Sequence, residues 1–209
     1  MPEGKYRNLS ASDEARIARW VRDGGVLVGT AGGAEWAEVL CYEPDPKQCA
    51  AEQQDDAEES PPTPRAYADH DDDRAERVIG GAIVDATLDL SHPLAFGYRR
   101  SELPLFRRGT VTLKPSSNPY VTPVRYTAEP LLAGFIGPQR LEAMRNQPAV
   151  IAEREGDGLI VRFANNPLFR GFWRGTERLF VNALYFGQVI EETDLPEVVP
   201  PPEPEEPRN

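Results

Sequence analysis

Histidine, cysteine and long apolar runs are scarce in this chain of 209 residues, and each shortage excludes a class of protein. Two cysteines are too few for a scaffold built on disulfides. The two histidines, His70 and His92, lie in no HxxE or HExxH spacing, so the chain has no ligand set for a hydrolytic zinc centre. No apolar run reaches the length of about 18 residues that a membrane helix needs. Residues 1–12 contain no apolar signal-peptide core, so we expect that the chain as given does not direct its own export.

Acidic residues are concentrated in two segments. The formal charge is −11, but residues 42–76 hold 12 acidic against 3 basic residues, and residues 191–209 hold 7 against 1. The remainder holds 15 acidic and 19 basic residues, a basic excess too small to predict nucleic-acid binding.

The two acidic segments also differ from the rest in composition. Residues 42–76 are rich in charge, proline and glutamine, and we expect a disordered insertion because such a segment buries little apolar surface. Residues 191–209 are rich in proline and glutamate and are expected to form a disordered tail. Residues 1–41 and 77–190 are then predicted to form a single α/β domain, which is long enough to bury one hydrophobic core.

The first part of this domain predicts a helix, a strand and a second helix. Ser10 and Asp13 match an acidic variant of the capping box, and the apolar residues that follow recur at helical spacing. Val26–Val28 predict a strand buried on both faces, Gly29–Gly33 a tight turn, and 34–40 a helix. This order is typical of α/β folds.

Further elements are predicted later in the chain from apolar runs and turn residues. We expect strands over 78–90, 110–113 and 121–126, a helix over 137–145, and a hairpin with its turn at Gly156–Gly158. Thr176 is expected to cap a last helix that places Leu179, Phe180, Ala183 and Leu184 in the core.

The turn Gly29–Gly33 has the pattern of a nucleophile elbow, but its central residue, Ala31, has no nucleophilic atom. Thr30 has a hydroxyl and no neighbouring histidine to act as its base. The same turn could instead bind an anion at the helix N-terminus through Thr30, Gly32 and Gly33. Glycines in such turns more often serve packing and turn formation.

We expect neither histidine to be catalytic. His92 lies in Ser-His-Pro-Leu and is expected to be a hydrogen-bonded turn residue rather than a ligand or base. A hydrolase trio of Thr30, His92 and Asp85 is a weaker alternative. His70 lies among aspartates in a solvated charge run, where a cation would bind weakly.

Two other features remain open between a functional and a structural interpretation. Cys41 and Cys49 could close a short disulfide worth about 2–3 kcal/mol in an oxidising compartment, or be free thiols in cytosol. Arg170 and Arg174 could bind a carboxylate or phosphate near a helix N-terminus. We favour packing for this segment, because its aromatic residues Phe169, Phe172 and Trp173 are of the kind that fill a core or interface.

Three stretches together resemble a known family: WVRDGGVLVGTAGGAEWAEVL, GGAIVDATLDLSHPLAFGY and EREGDGLIVRFANNPLFRGFWRGTERLFVNALYFG. They are similar to the C-terminal domain appended to a group of large bacterial zinc carboxypeptidases of the carboxypeptidase A type. That carboxypeptidase-associated domain resembles class I glutamine amidotransferases. The resemblance therefore implies a flavodoxin-like α/β sandwich with an added β-hairpin region.

The resemblance also implies that the amidotransferase chemistry is absent. The family elbow has the form Gly-x-Cys-x-Gly, and Ala31 stands at the position of the nucleophile. Where the family has His-Pro-Glu after a late strand, this chain has Asn165-Asn166-Pro167-Leu168. With both positions empty, the resemblance implies a pseudoenzyme, although the parent protein resembles a hydrolase, a zinc metallocarboxypeptidase.

From the resemblance we further expect the N-terminal strands of the fold to be missing, which would make the chain a fragment or a truncated form of a longer protein. We expect no cofactor in this chain and zinc only in the absent peptidase domain. The expected partners are that peptidase domain and peptide fragments, with no nucleic acid and no membrane span. The chain does not indicate its location, and the resemblance implies a periplasmic or secreted parent.

Two functions from different classes follow. The first is a non-catalytic accessory domain that supports the peptidase domain or binds peptide or cell-wall fragments. The second is a free-standing module that binds a small molecule or anion, with Thr30, Gly32, Gly33, His92, Arg170 and Arg174 as candidate ligand-binding residues.

Overall fold

A computed structural model describes residues 1–42 except 3, 5 and 7, residues 64–191, and residue 193. Within these residues the chain forms five α-helices: α1 (Ala11–Arg22), α2 (Gly32–Val39), α3 (His70–Arg77), α4 (Pro138–Met144) and α5 (Glu177–Phe186). The same residues form six strands: β1 (Val26–Thr30), β2 (Ala82–Leu88), β3 (Leu105–Arg107), β4 (Val124–Gly134), β5 (Pro148–Glu155) and β6 (Gly158–Phe163).

The six strands form one mixed sheet in the order β1-β6-β5-β4-β2-β3. β1 pairs with β6 in parallel, with Gly29 opposite Arg162, and the other described pairs are antiparallel. The α/β class predicted from the sequence is confirmed. Of the antiparallel pairs, β5 and β6 are joined by a tight hairpin at Gly156 and Asp157, which was predicted from the sequence, whereas the others are joined by longer segments.

Helices cover both faces of the sheet. On one face, α1 and α2 bury Val21 and Trp36 against Leu27 and Ile160. On the other face, Leu179 and Ala183 of α5 belong to the largest core cluster, which spans the sheet from Val28 of β1 to Leu105 of β3. Alternating side chains of β1 and β6 thus enter both layers, as expected for strands buried on two faces.

The capping box predicted for α1 is confirmed. The Ser10 hydroxyl accepts from the Asp13 amide, and the Asp13 carboxylate accepts from the Ser10 amide. This hydrogen bonding lowers the pKa of Asp13. The backbone amides of Ser10 and Asp13 are thereby satisfied, which fixes the residue at which α1 begins.

Parts of the element assignment differ from the sequence predictions. Residues 110–113 form no strand, although Val111 and Leu113 are buried, and the three-residue strand β3 was not predicted. The β4 strand extends to Gly134, well beyond the strand predicted over 121–126, and includes part of the apolar run 131–136. Short strands carry too little periodicity to be read from sequence, and their pairing decides whether an apolar segment becomes a strand.

The last helix also differs in detail. Thr176 makes no side-chain cap, because its hydroxyl donates to the carbonyl of Pro167 at 2.6 Å. Leu179 and Ala183 are buried as predicted, whereas Leu184 is 55% exposed. The apolar face of α5 is wider than the surface that the sheet covers.

The end of the predicted acidic insertion is ordered as α3, contrary to the expectation of disorder through residue 76. Arg65 pairs with Asp73 at 3.0 Å and with Asp69 at 3.7 Å, and Arg140 of α4 donates to the carbonyl of Glu76. These contacts stabilise α3 and offset the conformational entropy that the segment loses when it forms a helix. Composition alone had predicted that this loss would keep the segment disordered. Residues 43–63 and 194–209, on which the remaining predictions of disorder fall, lie outside the described residues.

Among the described residues, none of the helices combines the length and the apolar character that crossing a bilayer would require.

Candidate functional site

The turn between β1 and α2 has the strained geometry expected of a nucleophile elbow. Ala31 adopts φ 48° and ψ −119°, a conformation that a residue with a Cβ rarely adopts. Its amide donates to the carbonyl of Phe163, and its own carbonyl accepts from the Ala34 amide, which starts the helix. The side chain at the centre of this turn is a methyl group, so the turn holds no attacking atom.

Glycines make this tight turn possible. A Cβ on Gly29 would lie 2.6 Å from the carbonyl oxygen of Gly33 and 2.9 Å from Ala34, closer than real Cβ atoms approach. The helix α2 therefore begins directly against the end of β1. This close approach is the packing role that glycine has in such turns.

The elbow is sealed rather than open to a substrate. Ala31 is 6% exposed and packs in an apolar cluster with Val111, Leu113 and Val121. Thr30 is also buried, and its amide donates to the carbonyl of Met1 at 3.0 Å. The helix N-terminus where an anion was considered is therefore covered by the first residues of the chain.

The carbonyl oxygens of those first residues lie against both remaining glycines of the turn. A Cβ on Gly32 would lie 2.5 Å from the carbonyl oxygen of Gly4, and one on Gly33 would clash with the carbonyl oxygen of Met1. An anion at this place would meet oxygen atoms, which disfavours the anion-binding alternative.

His92 is a structural turn residue in the described fold. Its Nδ1 accepts from the Leu94 amide at 3.1 Å and caps a short 3₁₀ helix, as interpreted from the sequence. Burial lowers the pKa of His92, and the nearby Asp89 carboxylate opposes this only in part. Asn182 of α5 donates to the carbonyls of Leu94 and Phe96 and holds the whole turn against the helix.

Arg170 and Arg174 are exposed and lie beside an aromatic cluster. The Arg170 guanidinium stacks 5.2 Å from the ring centre of Phe169, and Arg174 pairs with Glu177 at 3.5 Å. Phe169 stacks on Phe106 at 4.0 Å between ring centres. These contacts agree with the packing interpretation of the segment.

The six residues proposed from the sequence do not form one site. Thr30, Gly32 and Gly33 lie under the first residues of the chain, and Arg170 with Arg174 lies on the exposed surface beside Phe169. His92 contributes to a cavity that contains none of the other five.

This cavity, of about 640 Å³, is the candidate site that the fold presents. Its volume lies in the range of small-molecule sites. It lies beside the C-terminal half of α2 and along β5 and β6, and residues of the loop 116–121 and residues 189–191 and 193 border it. Its lining includes the apolar side chains of Val121, Ala152 and Ile160 and a group of charged and aromatic side chains.

The charged group is centred on Arg162 of β6, which is buried together with two carboxylates. The guanidinium lies 3.6 Å from Glu38 of α2 and pairs more closely with Glu153 of β5. Its Nε is buried and meets no hydrogen-bond partner among the described residues. Tyr42 lies nearby, and burial raises the pKa of its hydroxyl, which donates to the Ala37 carbonyl.

Sequence reasoning missed these residues. Arg162 interrupts the apolar run Leu159–Phe163 of the predicted hairpin, and a charge within an apolar strand is a signal that could have found it. Glu38 and Glu153 carry no such signal, because their distance to Arg162 depends on the pairing of β5 with β6 and on the packing of α2.

A second buried arginine, Arg107 of β3, was also missed and serves the core. It is 2% exposed and donates to the carbonyl of Ala164 at 3.1 Å, to Asn165 Oδ1 at 2.8 Å and to the carbonyl of Val111 at 2.5 Å. Asn165 in turn donates to the Tyr126 hydroxyl. The network ties the end of β6 to the loop that covers the elbow.

Cysteine and metal-ligand side chains give no further site. Cys41 is disulfide-bonded, and Cys49, the other cysteine of the chain, lies outside the described residues. His70 contacts Asp71 at 3.3 Å on the exposed surface. In the described part of the chain, no three His, Cys, Asp or Glu side chains come close enough together to hold a metal ion.

Comparisons with protein-family models, with curated proteins and with solved structures found no match to this chain. The likeness to the carboxypeptidase-associated domain is an expectation from the three sequence stretches.

Proposed function

We propose that this chain is a non-catalytic accessory domain of a zinc carboxypeptidase-like protein, which supports the peptidase domain or binds peptide or cell-wall fragments. The observation that carries the proposal is the elbow at Ala31. A strained strand-to-helix turn usually exposes a reactive side chain, whereas this one holds a buried methyl group.

The finer fold assignment belongs to the same proposal. A buried strand, a strained turn and a helix in direct succession, with a parallel neighbour strand β6, support a flavodoxin-like, amidotransferase-like origin. The antiparallel strands β2 to β5 then represent the added region. At the outer edge of β1, Met1 accepts from the Thr30 amide and its amino group donates to Val28, which is the pairing that a further parallel strand would make.

Assays for turnover test the proposal. The purified full chain is expected to release no ammonia from glutamine, no product from simple amides and no C-terminal residue from peptides. The Ala31→Cys variant is expected to remain inactive as well, because neither histidine is placed as its base: the Nδ1 of His92 accepts from the Leu94 amide, and His70 contacts Asp71 on the exposed surface. Turnover by the wild-type chain that Thr30→Ala or His92→Ala abolishes would overturn the proposal.

The cavity beside Arg162 favours a second candidate, a free-standing module that binds a small molecule. A ligand that binds only the folded state raises the melting temperature. A thermal-shift screen with amino acids, short peptides and inorganic anions separates the candidates. A shift that Glu153→Gln abolishes would favour the binding module, and a flat screen would favour a purely supporting role.

A further inference from the structure

We propose that the cavity beside Arg162 binds an organic cation, such as the side chain of lysine or the free amino group of a peptide. The inference rests on the proposed binding of peptide fragments and names their chemical class. Its basis is the combination of excess carboxylate, aromatic rings and a volume of about 640 Å³ in one partly open cavity.

Among the described residues that line the cavity, carboxylates outnumber cations. The acidic residues are Glu38, Glu153, Glu155 and Glu191, and the titratable basic residues are His92, Arg154 and Arg162. Glu155 already pairs with Arg22 at 4.0 Å, so the excess rests on the other three carboxylates. Arg154 uses its guanidinium for the carbonyls of Asp157 and Ile190. The lining therefore offers a cationic group more counter-charge than an anionic group would find.

The excess charge is concentrated at one place. Glu38 and Glu153 share the single guanidinium of Arg162, so two negative charges face one positive charge. Within the described part of the chain, the other cation paired with these glutamates is Lys114, which lies 3.9 Å from Glu38 and is 88% exposed. An ion pair with so exposed a lysine is weak and is readily exchanged for a ligand ammonium.

Aromatic rings in the same lining suit a cation with an alkyl stem. Tyr42 and Tyr120 both line the cavity, and the Tyr42 ring is held by the hydrogen bond from its hydroxyl to Ala37. Such rings attract ammonium and guanidinium groups through their π-faces. Val121 and Ile160 provide apolar surface for a methylene chain, as a lysine side chain requires.

Hydrogen-bonding groups in the lining can recognise the rest of a peptide. Ser116, Ser117 and Thr193 contribute hydroxyls, and Asn118 contributes an amide that also contacts Thr193. The two terminal nitrogens of Arg162 face Glu38 and Glu153, so the guanidinium holds these carboxylates in position for the ligand. Its Nε is buried and meets no partner among the described residues.

Calorimetric titration of the full chain with the dipeptide Ala-Lys tests the proposal. The matched control ligand is the same dipeptide with its lysine Nε acetylated and its N-terminus acetylated, which has no positive charge. We expect saturable binding of Ala-Lys at concentrations up to about 10 mM and at least roughly tenfold weaker binding of the acetylated form.

Variants locate the site. Glu153→Gln and Glu38→Gln are each expected to weaken Ala-Lys binding about tenfold, which is the effect of one lost charge partner. Lys114→Gln is expected to leave binding unchanged or strengthen it, because it removes a competing cation. Glu129→Gln changes an exposed carboxylate outside the cavity and is expected to have no effect.

Three results would overturn the inference: no saturable binding of Ala-Lys, equal binding of the acetylated dipeptide, or equal weakening by Glu129→Gln and Glu153→Gln. Chromatography of the dipeptide after the titration distinguishes this failure from failure of the proposed function. Hydrolysed dipeptide would overturn the non-catalytic role, whereas intact dipeptide without binding would overturn the cation site alone.

Discussion

Arg107 is a buried arginine that donates hydrogen bonds to several polar groups of the interior. Its guanidinium is buried and has no carboxylate partner among the described residues. Its two terminal nitrogens donate to backbone carbonyls and to Asn165, whereas its Nε is buried and meets no partner there. Burying a charge in this way is tolerated only when several hydrogen bonds replace the lost water. The arrangement connects β3, the end of β6 and the loop over the elbow.

We predict that Arg107→Met lowers the free energy of unfolding by about 2–4 kcal/mol, because it leaves the oxygens of Val111, Ala164 and Asn165 without their donor. Urea unfolding followed by circular dichroism measures the change. The neighbouring exposed residue provides the control, since Arg108→Met is expected to stay within about 0.5 kcal/mol of wild type. An Arg107→Met protein as stable as wild type would show that the hydrogen bonds merely balance the burial of the charge.

We predict that His92 makes stability depend on pH below its ordinary pKa of 6.5. Burial lowers the pKa of His92, so below pH 6.5 the unfolded chain binds a proton that the folded chain does not. Stability therefore falls as the pH decreases from 6.5 towards the folded pKa, and the urea midpoint measures this.

His92→Asn is the matched variant for this prediction. Asparagine keeps a side-chain acceptor for the Leu94 amide and does not titrate. Its midpoint should lose less on acidification through the same window, before Asp89 begins to protonate at lower pH. If the two proteins lose stability in parallel, another group is responsible.

At the scale of elements, the junction of β1 with α2 is the most constrained part of the fold. Gly29 lies where the backbone of α2 passes closest, and Ala31 takes the strained conformation. The strained backbone conformation is retained because Val111, Leu113 and Val121 pack over the turn and hold Ala31 in place.

We predict that Gly29→Ala destabilises the protein by about 1–3 kcal/mol, because its Cβ would overlap the carbonyl of Gly33. Gly80 is the control position, since a Cβ there meets no atom within 4 Å. Gly80→Ala should be neutral or slightly stabilising. Equal thermal midpoints for both variants would contradict the tight junction.

At the scale of the whole molecule, the described surface includes an apolar face on α5. Val181, Leu184 and Tyr185 of the helix are exposed, and so is Phe96 beside them. Contiguous exposed apolar surface of this kind often marks contact with another protein. Under the proposed accessory role, this face is a natural place for contact with a larger protein.

We predict that the isolated chain self-associates weakly through this face and that Leu184→Lys reduces the association. Sedimentation velocity over a range of concentrations measures it as the rise in the average sedimentation coefficient. Leu90 is exposed to a similar extent, 47% against 55% for Leu184, and lies outside α5, so Leu90→Lys should leave the association unchanged. Equal effects of both substitutions would indicate a general effect of charge.

Local pattern determined much of the fold in advance. The capping box at Ser10, the buried strand at Val26, the strained glycine turn and the hairpin at Gly156 all depend on residues close together in the chain. Their geometry follows from backbone sterics and short-range hydrogen bonds, so composition and spacing are sufficient to predict them. The empty elbow at Ala31 could be read in the same way.

Tertiary packing decided the rest. Four features depend on partners distant in sequence: the formation of helix α3, the exposure of Leu184, the burial of Arg107 and the cavity at Arg162. Glu38, Glu153 and Arg162 lie close together because α2 packs on the hairpin of β5 and β6. The sequence around any one of them does not predict the position of the other two. Charged side chains interact strongly enough to form a site only when the fold buries them next to one another. Such burial is a property of the packed structure and not of any one segment.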